Sequence, residues 1–322
     1  MPTMGVPIAD ERVSSLMVSP SSYTIATAID RAFVEPACVL LASIAANADV
    51  AEADLVVYGL GLTQEDRDRL TKSCGAMASK LSVVDLKFAA GRLKRLPVTL
   101  AVPSVVAYAR MLVPSMLPHS VSRLLYLDSD IVVIATLRPL FETEFAGAIV
   151  GAVPDTISPW VDLSFRSEVL RLPNPRFYFN SGVLLIDVEA WQKANVTEKA
   201  FAFIDDLPSA TKLSFPDQDV LNSVLANSWL PLDRKWNFFQ IADEPSNLQR
   251  FLSEATVVHF ASGKKPWVSG STHPGRQLYL DHRKLTSFAQ APLESPTKQR
   301  FNQFIRSPIS TIINLSLRLL GR

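Results

Sequence analysis

From about Tyr23 onward, the spacing of the hydrophobic residues alternates between two patterns. Short runs of β-branched residues, typical of buried strands, are separated by longer stretches with apolar residues at helical spacing. The first three strands are predicted at residues 24–29, 54–60 and 82–86. Thr63 with Asp66 predicts a capping box and a helix that runs to about Ala78. This alternation of strands and helices is typical of a mostly parallel α/β sheet.

The pattern continues beyond residue 100 with less regular spacing. A helix is predicted over residues 103–113, with Pro103 in its first turn and Pro114 closing it. One apolar strand is predicted over 123–141, and the segment 216–225 begins with Pro and Asp, as helices often do. Three later strands are predicted at residues 148–155, 179–188 and 255–260.

Two carboxylates interrupt the apolar strand predicted over 123–141. Asp128 and Asp130 are two residues apart, so they share one face of a strand, and at its end both can reach one cation. Such oxygen pairs suit Mg²⁺ or Mn²⁺. The alternative is that one carboxylate caps a turn while the other makes a surface salt bridge. A lone pair of this kind is more often structural, but the apolar strand before it strengthens the interpretation as a metal site, because such a strand seldom ends in two uncompensated carboxylates.

The same residues fit a second chemistry. An apolar strand followed by the segment 128–132, DSDIV, is similar to the motif that presents the nucleophilic aspartate of haloacid-dehalogenase-type phosphatases. In that family the motif sits on the first strand, whereas here several predicted strands precede it. Downstream there is only Asp205 with Asp206, a pair expected to be helical and solvated. A magnesium-dependent phosphatase is therefore the alternative function.

A third polar group follows the last predicted strand. His259 ends this strand, and Lys265 follows in a turn of small residues that can bring backbone and ammonium groups close to phosphate. By itself, His259 is more simply explained as a core histidine. Together with Asp128 and Asp130 it makes a mixed oxygen and nitrogen site that favours Mn²⁺ over Ca²⁺, and the metal with Lys265 would neutralise a diphosphate.

Composition and charge exclude several classes of protein. The 322 residues are 48% hydrophobic, enough for one large or two ordinary domains with a core. With 32 basic and 31 acidic residues the net charge is +1, so no overall positive field attracts nucleic acid. Cys38 and Cys74 lack CxxC spacing and are expected to be buried and reduced. We find no membrane-spanning run and no signal-peptide pattern, which together predict a cytoplasmic protein.

Four motifs occur in an order and at distances that resemble a known family. They are YLDSDIVV, YFNSGVLLIDVEAW, FPDQDVLN and HFASGKKPW. They are similar to the retaining glycosyltransferase family 8, which includes bacterial lipopolysaccharide galactosyl- and glucosyltransferases and the glycogenins. The resemblance extends from about Tyr23 to Trp267. It implies a GT-A (nucleotide-diphospho-sugar transferase) fold with a mixed, mostly parallel sheet, a UDP-sugar donor, and Mn²⁺ or Mg²⁺ held by Asp128, Asp130 and His259.

The resemblance also implies roles for residues around the nucleotide. Ala28 and Asp30 would contact the uracil, and Phe33 stands where the family usually has a stacking Tyr. Ala32 occupies a position where Asn is common, and Ser262 replaces a frequent Gly, although Gly263 follows directly. The other matched positions of the donor pocket are Asp128, Ser129, Gly263 and Lys265.

A further set of matches surrounds the transferred sugar. Arg110 matches an Arg near the donor sugar, and the alternative is an Arg on a helix surface. Asn180, Asp217 and Gln218 match residues that hold the sugar hydroxyls, and Asp155 is a weaker candidate for the same pocket. The implied catalytic set is Arg110, Asn180, Asp217, Gln218 and Lys265.

These observations divide the chain into a poorly ordered leader (1–22), a catalytic domain (23–294) and an extension (295–322). Beyond Glu294 there are five basic and no acidic residues, and the apolar residues recur at helical spacing. A basic amphipathic helix is typical of an anionic membrane surface, so we expect contact with the inner face of the cytoplasmic membrane. The alternative is a helix docked on the protein's own core.

The function implied by the resemblance is retaining transfer of glucose or galactose from a UDP-hexose to a saccharide acceptor. Such a reaction belongs to the synthesis of lipopolysaccharide or another surface glycan. The loop-rich residues 156–178 are expected to form the acceptor site. Besides the phosphatase, a catalytically idle module that binds sugar nucleotides is the remaining alternative.

Overall fold

The computed structural model describes residues 23–89, 96, 104–155, 162–208, 213, 215–239 and 252–297. Nine strands form two sheets in these residues. They are β1 (Tyr23–Asp30), β2 (Asp54–Leu60), β3 (Leu81–Asp85), β4 (Arg123–Leu127), β5 (Ile131–Val133), β6 (Val150–Pro154), β7 (Phe179–Asp187), β8 (Trp229–Pro231) and β9 (Val257–His259). The main sheet has the order β3-β2-β1-β4-β7-β6-β8, and β5 pairs with β9 in the second.

The main sheet is mixed and mostly parallel, as predicted. Strands β1 to β4 pair in parallel, as do β6 and β8, whereas β7 runs antiparallel to both β4 and β6. Strand β4 is buried on both faces: Leu124 and Tyr126 pack into one core cluster, and Leu125 and Leu127 into the other. This is why its sequence is a continuous apolar run and not an alternating one.

The helices cover both faces of the main sheet. They are α1 (Val34–Asn47), α2 (Gln64–Ser73), α3 (Ala109–Met116), α4 (Arg138–Phe141), α5 (Leu163–Glu168), α6 (Val188–Lys193), α7 (Val196–Asp206), α8 (Pro216–Val224) and α9 (Arg276–Arg283). Helices α1, α2 and α4 contribute to one core cluster, and α3, α6, α7 and α8 to the other. In the part of the chain that the structure describes, no helix has the length and apolar character needed to span a bilayer.

Helix α2 begins as predicted but ends early. Thr63 Oγ1 accepts from the Asp66 N–H at 3.2 Å, and the Asp66 carboxylate accepts from the Thr63 N–H at 3.0 Å, which confirms the capping box. The helix ends at Ser73 and not near Ala78. The reason is Gly75, whose φ of +51° lies in the left-handed region that terminates helices.

The helix predicted over residues 103–113 differs in its boundaries. The described part opens as a 3-10 helix over Val105–Tyr108 and continues as α3, while Pro103 lies outside the described residues. Pro114 lies inside α3 and does not close it. Pro114 cannot donate to the Arg110 carbonyl, but the φ of proline is itself helical, and the last turn still forms.

The prediction of one strand over residues 123–141 is wrong. After β4 the chain leaves the main sheet and enters β5, which pairs antiparallel with β9. The connection is held by two backbone hydrogen bonds, from the Asp128 N–H to the Gly182 carbonyl at 2.8 Å and from the Phe260 N–H to the Asp130 carbonyl at 2.9 Å. The two carboxylates therefore lie where the two sheets meet.

The remaining expectations on chain organisation concern cysteines and termini. Cys38 and Cys74 are buried free thiols, and burial raises the pKa of each to about 12. Asp205 and Asp206 end α7 and are exposed, as predicted. Residues 1–22 and 298–322, which hold the predicted leader and most of the predicted extension, lie outside the described residues.

Candidate active site

A cleft of about 610 Å³ opens where the ends of β1 and β4 lie side by side. In an open α/β sheet, ligands bind in the crevice at the carboxyl ends of the strands. Every site residue predicted from the sequence lines this cleft. They are Ala28, Asp30, Ala32, Phe33, Arg110, Asp128, Ser129, Asp130, Asp155, Asn180, Asp217, Gln218, His259, Ser262, Gly263 and Lys265. Segments far apart in the chain thus meet in one place.

Asp128, Asp130 and His259 form a cluster in this cleft. His259 Nε2 lies 3.3 Å from Asp130 Oδ1 and 3.8 Å from Asp128 Oδ2. One ligand atom from each residue lies within 4.8 Å of the others. Both Asp130 and His259 are buried, at 8% and 4% exposed. Two carboxylate oxygens and one imidazole nitrogen at this spacing are a donor set for a divalent cation such as Mn²⁺ or Mg²⁺.

A chain of hydrogen bonds through two amide side chains determines which nitrogen of His259 carries the hydrogen. The Gly182 N–H donates to Asn180 Oδ1 at 2.9 Å, and Asn237 Nδ2 donates to the same oxygen at 2.8 Å. Asn237 Oδ1 therefore accepts from His259 Nδ1, at 2.9 Å. Because a backbone N–H can only donate, it sets the direction of the whole chain and places the hydrogen of His259 on Nδ1. Nε2 is left as the metal-facing nitrogen, so these residues fit a divalent cation.

Gly182 makes this arrangement sterically possible. A Cβ atom built at this position would overlap the imidazole ring of His259 and crowd Asn180 Oδ1. The glycine of the FNSG motif is therefore needed for the close approach of β7 to His259, a role that the sequence does not predict.

Lys265 contacts the acidic pair directly. Its Nζ lies 2.6 Å from Asp130 Oδ2 and donates to the Phe260 carbonyl at 2.7 Å. The sequence predicts that Lys265 serves a phosphate; it does not indicate that the ammonium neutralises one carboxylate of the acidic cluster. Lys265 and a divalent cation would thus compete for the charge of Asp130.

The two carboxylates differ in their affinity for protons. Burial raises the pKa of Asp128 to about 6, although Arg110 acts in the opposite direction. Burial acts on Asp130 too, but the ammonium of Lys265 outweighs it and holds the pKa of Asp130 well below its usual range. Asp130 is therefore the residue that keeps its negative charge most firmly.

Arg110 connects the acidic pair to the opposite wall of the cleft. It is only 5% exposed, so the alternative of a surface Arg is wrong. Nη2 lies 2.6 Å from Asp128 Oδ1, Nε lies 3.1 Å from Asp217 Oδ2, and Nη1 donates to both the hydroxyl and the carbonyl of Ser181 at 2.7 Å. One buried guanidinium thus compensates two carboxylates.

Gln218 is held at both ends of its amide. Oε1 accepts from the Ser181 N–H at 3.0 Å, and Nε2 donates to Asp155 Oδ2 at 3.1 Å and to the Tyr178 hydroxyl at 3.3 Å. The Tyr178 hydroxyl in turn donates to Asp219 Oδ1 at 2.6 Å. Asp155, the weaker candidate from the sequence, therefore belongs to the same network as Gln218.

The opposite end of the cleft is formed by the end of β1. Asp30 accepts from the Ala32 N–H at 3.0 Å and from the Ser104 hydroxyl at 2.8 Å. Phe33 meets the ring of Trp267 edge to face, with centroids 6.1 Å apart. The two aromatic rings and the fixed carboxylate form a surface suited to a planar, hydrogen-bonding group.

Sequence reasoning missed four residues that organise the site. They are Tyr178, Ser181, Gly182 and Asn237. The first three lie in or beside the YFNSG motif, so their proximity to Asn180 was a usable signal. Asn237 lies outside all four motifs, and its contacts with Asn180 and His259 arise only from folding.

Comparison with known proteins places this site in a family. The family model described as glycosyl transferase family 8 matches residues 24–270. General stress protein A of Bacillus subtilis is 32% identical over 193 residues, which are 56% of this chain and 66% of that protein. The lipopolysaccharide 1,2-glucosyltransferase of Escherichia coli K12 is 30% identical over 214 residues, 63% of this chain and 61% of that protein. The chain thus spans less than two thirds of these two relatives.

A third relative is matched over most of its length. The lipopolysaccharide 1,3-galactosyltransferase of Salmonella typhimurium LT2 is 28% identical over 301 residues, 87% of this chain and 86% of that protein. Among solved structures, the galactosyltransferase LgtC in complex with donor and acceptor sugar analogues has a TM-score of 0.69 at 20% identity. The superposition covers 87% of this chain and 99% of that chain and shows the same GT-A fold.

The comparisons and the geometry agree on one class of protein. The phosphatase alternative receives no support from them, and the two carboxylates follow the fourth strand of the chain instead of the first. Since the family model covers more than three quarters of the residues, the chain belongs to glycosyl transferase family 8.

Proposed function

We propose that the protein is a retaining hexosyltransferase that moves glucose or galactose from a UDP-hexose to a saccharide acceptor, in the synthesis of lipopolysaccharide or another surface glycan. One observation carries the proposal. In a family 8 chain, the same cleft is lined by a cluster that could hold a cation and by polar side chains that could hold a sugar. The first set is Asp128, Asp130 and His259, and the second is Arg110, Asn180, Asp217 and Gln218. The named lipopolysaccharide glucosyl- and galactosyltransferases among the relatives support it.

The donor's diphosphate is assigned to the acidic cluster and the loop after β9. Asp128, Asp130 and His259 would hold Mn²⁺ or Mg²⁺, which when bound offsets the negative charge of the departing diphosphate. Lys265 supplies a second positive charge from the same place. Ser129, Ser262 and Gly263 line the cleft there and are assigned to the donor.

The uridine is assigned to the end of β1. Ala28 and Asp30 would contact the uracil edge, with the Asp30 carboxylate held in place by the Ala32 N–H and Ser104. Phe33, braced by Trp267, replaces the Tyr usual in the family as the ring that packs on the uracil.

The transferred sugar is assigned to Arg110, Asn180, Asp217 and Gln218. Both ends of the Gln218 amide are engaged by protein groups, and an amide oxygen is a weak nucleophile, so Gln218 orients the sugar and does not attack it. We therefore favour front-side attack. The acceptor oxygen bonds to the anomeric carbon as the bond to the diphosphate oxygen breaks on the same face, and the acceptor's proton passes to that departing oxygen.

The acceptor is assigned to the segment 156–178, of which residues 162–178 are described. Within it, the guanidinium of Arg166 lies 3.5 Å from the centre of the Tyr178 ring, and the Tyr178 hydroxyl contacts Gln218. This segment is therefore in direct contact with the network that would hold the sugar.

The extension 295–322 is proposed to attach the protein to an anionic membrane surface on the cytoplasmic side. Its five basic residues have no compensating acid. Glu294, which directly precedes it, lines the cleft and is tied to the loop of Trp267 by a backbone hydrogen bond of 3.1 Å. The extension therefore begins beside the cleft, where a membrane-bound acceptor would have to arrive.

An assay of UDP release tests the proposed reaction. The protein is incubated with UDP-glucose or UDP-galactose and Mn²⁺, with and without EDTA, and then with p-nitrophenyl phosphate. We expect UDP release from one hexose donor, lost with EDTA, and no p-nitrophenol. Metal-dependent p-nitrophenol release without UDP release would establish the phosphatase instead. Donor binding with no turnover across a panel of saccharide acceptors would establish the idle binding module.

A further inference from the structure

Asn237 is a buried polar residue with no role in the assignments above. It follows the 3-10 helix Arg234–Trp236, is 1% exposed and does not line the cleft. Its amide nevertheless contacts two residues that do, His259 through Oδ1 at 2.9 Å and Asn180 through Nδ2 at 2.8 Å. One side chain therefore contacts both a residue of the acidic cluster, His259, and a residue assigned to the sugar, Asn180.

We propose that Asn237 is a positioning residue that joins the cation site to the sugar site, holding His259 and Asn180 in the orientations each needs. The inference rests on the proposed function, because it assigns those two residues to the cation and to the transferred hexose. It adds a residue that touches neither ligand.

The contact with His259 determines which nitrogen of the ring carries the hydrogen. With Asn237 Oδ1 as acceptor, the hydrogen stays on Nδ1, and the lone pair of Nε2 is directed at Asp128 and Asp130. Without it, the neutral imidazole is free to carry its hydrogen on Nε2, where it cannot ligate a cation. Loss of such an outer partner typically weakens metal binding roughly 10- to 100-fold.

The contact with Asn180 determines what the sugar meets. Asn180 Oδ1 is engaged by two donors, the Gly182 N–H and Asn237 Nδ2. Among the described residues, Asn180 Nδ2 has no hydrogen-bond partner in the protein, so it is the group that this side chain offers to a ligand. Asn237 thus keeps a donor, and not an acceptor, presented to the hexose hydroxyls.

Two substitutions separate the two contacts. Asn237→Ala removes both. Asn237→Asp keeps an acceptor for His259 Nδ1–H. It also replaces the Nδ2 donor with a carboxylate oxygen that faces Asn180 Oδ1, so Asn180 must turn its amide or lose the contact. Asn47→Ala is the matched control, because Asn47 makes another Asn–His contact, with His282 Nε2 at 3.1 Å, outside the cleft.

The experiment measures binding by calorimetry with the full chain, first Mn²⁺ alone, then UDP and UDP-hexose in saturating Mn²⁺, with thermal melting as a check on folding. We expect Asn237→Ala to weaken Mn²⁺ binding roughly 10- to 100-fold. Asn237→Asp should bind Mn²⁺ like the wild type but lose the extra affinity for UDP-hexose over UDP. Asn47→Ala should bind all three like the wild type.

The outcomes distinguish this inference from the proposed function. If the wild type binds Mn²⁺ and transfers hexose while both Asn237 variants match it in every affinity, the inference alone is overturned. Equal loss of Mn²⁺ affinity in the Ala and Asp variants also overturns it, since an acceptor at Nδ1 would then be irrelevant. If the wild type binds neither Mn²⁺ nor UDP, the proposed function fails and takes the inference with it. Should Asn237→Ala not fold, the Asp variant still decides.

Discussion

The two sides of the cleft are held together in different ways. On the sugar side, Arg110, Ser181, Asp217 and Gln218 bond to one another, so that charges and amides are satisfied within the protein. On the side proposed for the cation, which we call the cation side, two carboxylates and an imidazole nitrogen converge. Each carboxylate has one cationic partner, Arg110 for Asp128 and Lys265 for Asp130. The four residues named on the first side satisfy one another, whereas the second side brings two carboxylates and an imidazole nitrogen together and still gains from an added divalent cation.

This difference separates stability from binding. Removing a group from a satisfied buried network leaves partners uncompensated and lowers the free energy of unfolding. Removing one carboxylate from the acidic pair gives up an ion pair but also relieves repulsion with the other carboxylate, so more of the cost falls on the ligand that the cluster attracts. Substitutions on the two sides should therefore be distinguishable by measuring unfolding with and without ligand.

The largest expected effect is on the sugar side. Arg110→Ala should lower the free energy of unfolding by about 3–5 kcal/mol, because it leaves the buried carboxylate of Asp217 and the carboxylate of Asp128 without their cation. Urea denaturation without ligands measures it. The control is Arg138→Ala, which breaks a solvent-exposed pair with Glu52 and should lower the free energy of unfolding far less. Equal losses in the two variants would show that the network is not what holds this side.

The next effect is on the cation side. Asp130→Asn should leave the unliganded protein folded, since the amide has the shape of the carboxylate. The lost ion pair with the partly exposed Lys265 is offset in part by relief of the repulsion with Asp128. Stabilisation by Mn²⁺ with UDP should disappear, a loss of about 2.7 kcal/mol at ligand concentrations 100 times the wild-type Kd. Thermal melting with and without ligands measures both quantities. Full ligand-induced stabilisation in the variant would remove Asp130 from the cation site.

Lys265→Ala should lower the turnover rate while raising the affinity for Mn²⁺ alone. We expect kcat to fall about 10²-fold, the scale for losing one preorganised charge that stabilises a leaving group. Affinity for Mn²⁺ alone should rise, because the ammonium no longer occupies Asp130. Calorimetry and UDP-release kinetics test the two parts, with the exposed neighbour variant Lys264→Ala as control. An unchanged kcat with a raised KM would limit Lys265 to donor binding.

The smallest effect on the fold is expected from truncation at Pro296. Because the extension is proposed to contact lipid and not the core, the melting temperature and transfer to a soluble acceptor should stay unchanged. Binding to anionic vesicles should be lost, and in the full chain it should weaken with salt, at about 1 kcal/mol per basic residue near the surface. Sedimentation with anionic and neutral vesicles measures this. A drop of several degrees in the melting temperature, with no vesicle binding in the full chain, would identify a core helix.

The sequence by itself determined the elements and most of the candidate chemistry. Strands β1 and β2 lie within a residue or so of their predicted bounds, because burial on both faces leaves an unmistakable apolar run. The capping box of α2 is set by two residues three positions apart. Asp128, Asp130, Asn180 and His259 were found because their motifs are local, and a local pattern can be read without knowing where the chain turns.

Only the tertiary structure decided how these residues act on one another. The run 123–141 divides into two sheets because β5 finds its partner in β9, more than a hundred residues away. For the same reason, Lys265 reaches Asp130, and Asn237 reaches both His259 and Asn180. Periodicity reports whether a residue is buried but not which residue it meets, since that depends on strand order and register. The orientation of the Asn180 amide is determined by one backbone N–H, that of Gly182. Through Asn237, this orientation determines which nitrogen of His259 carries the hydrogen and which one is left for a cation.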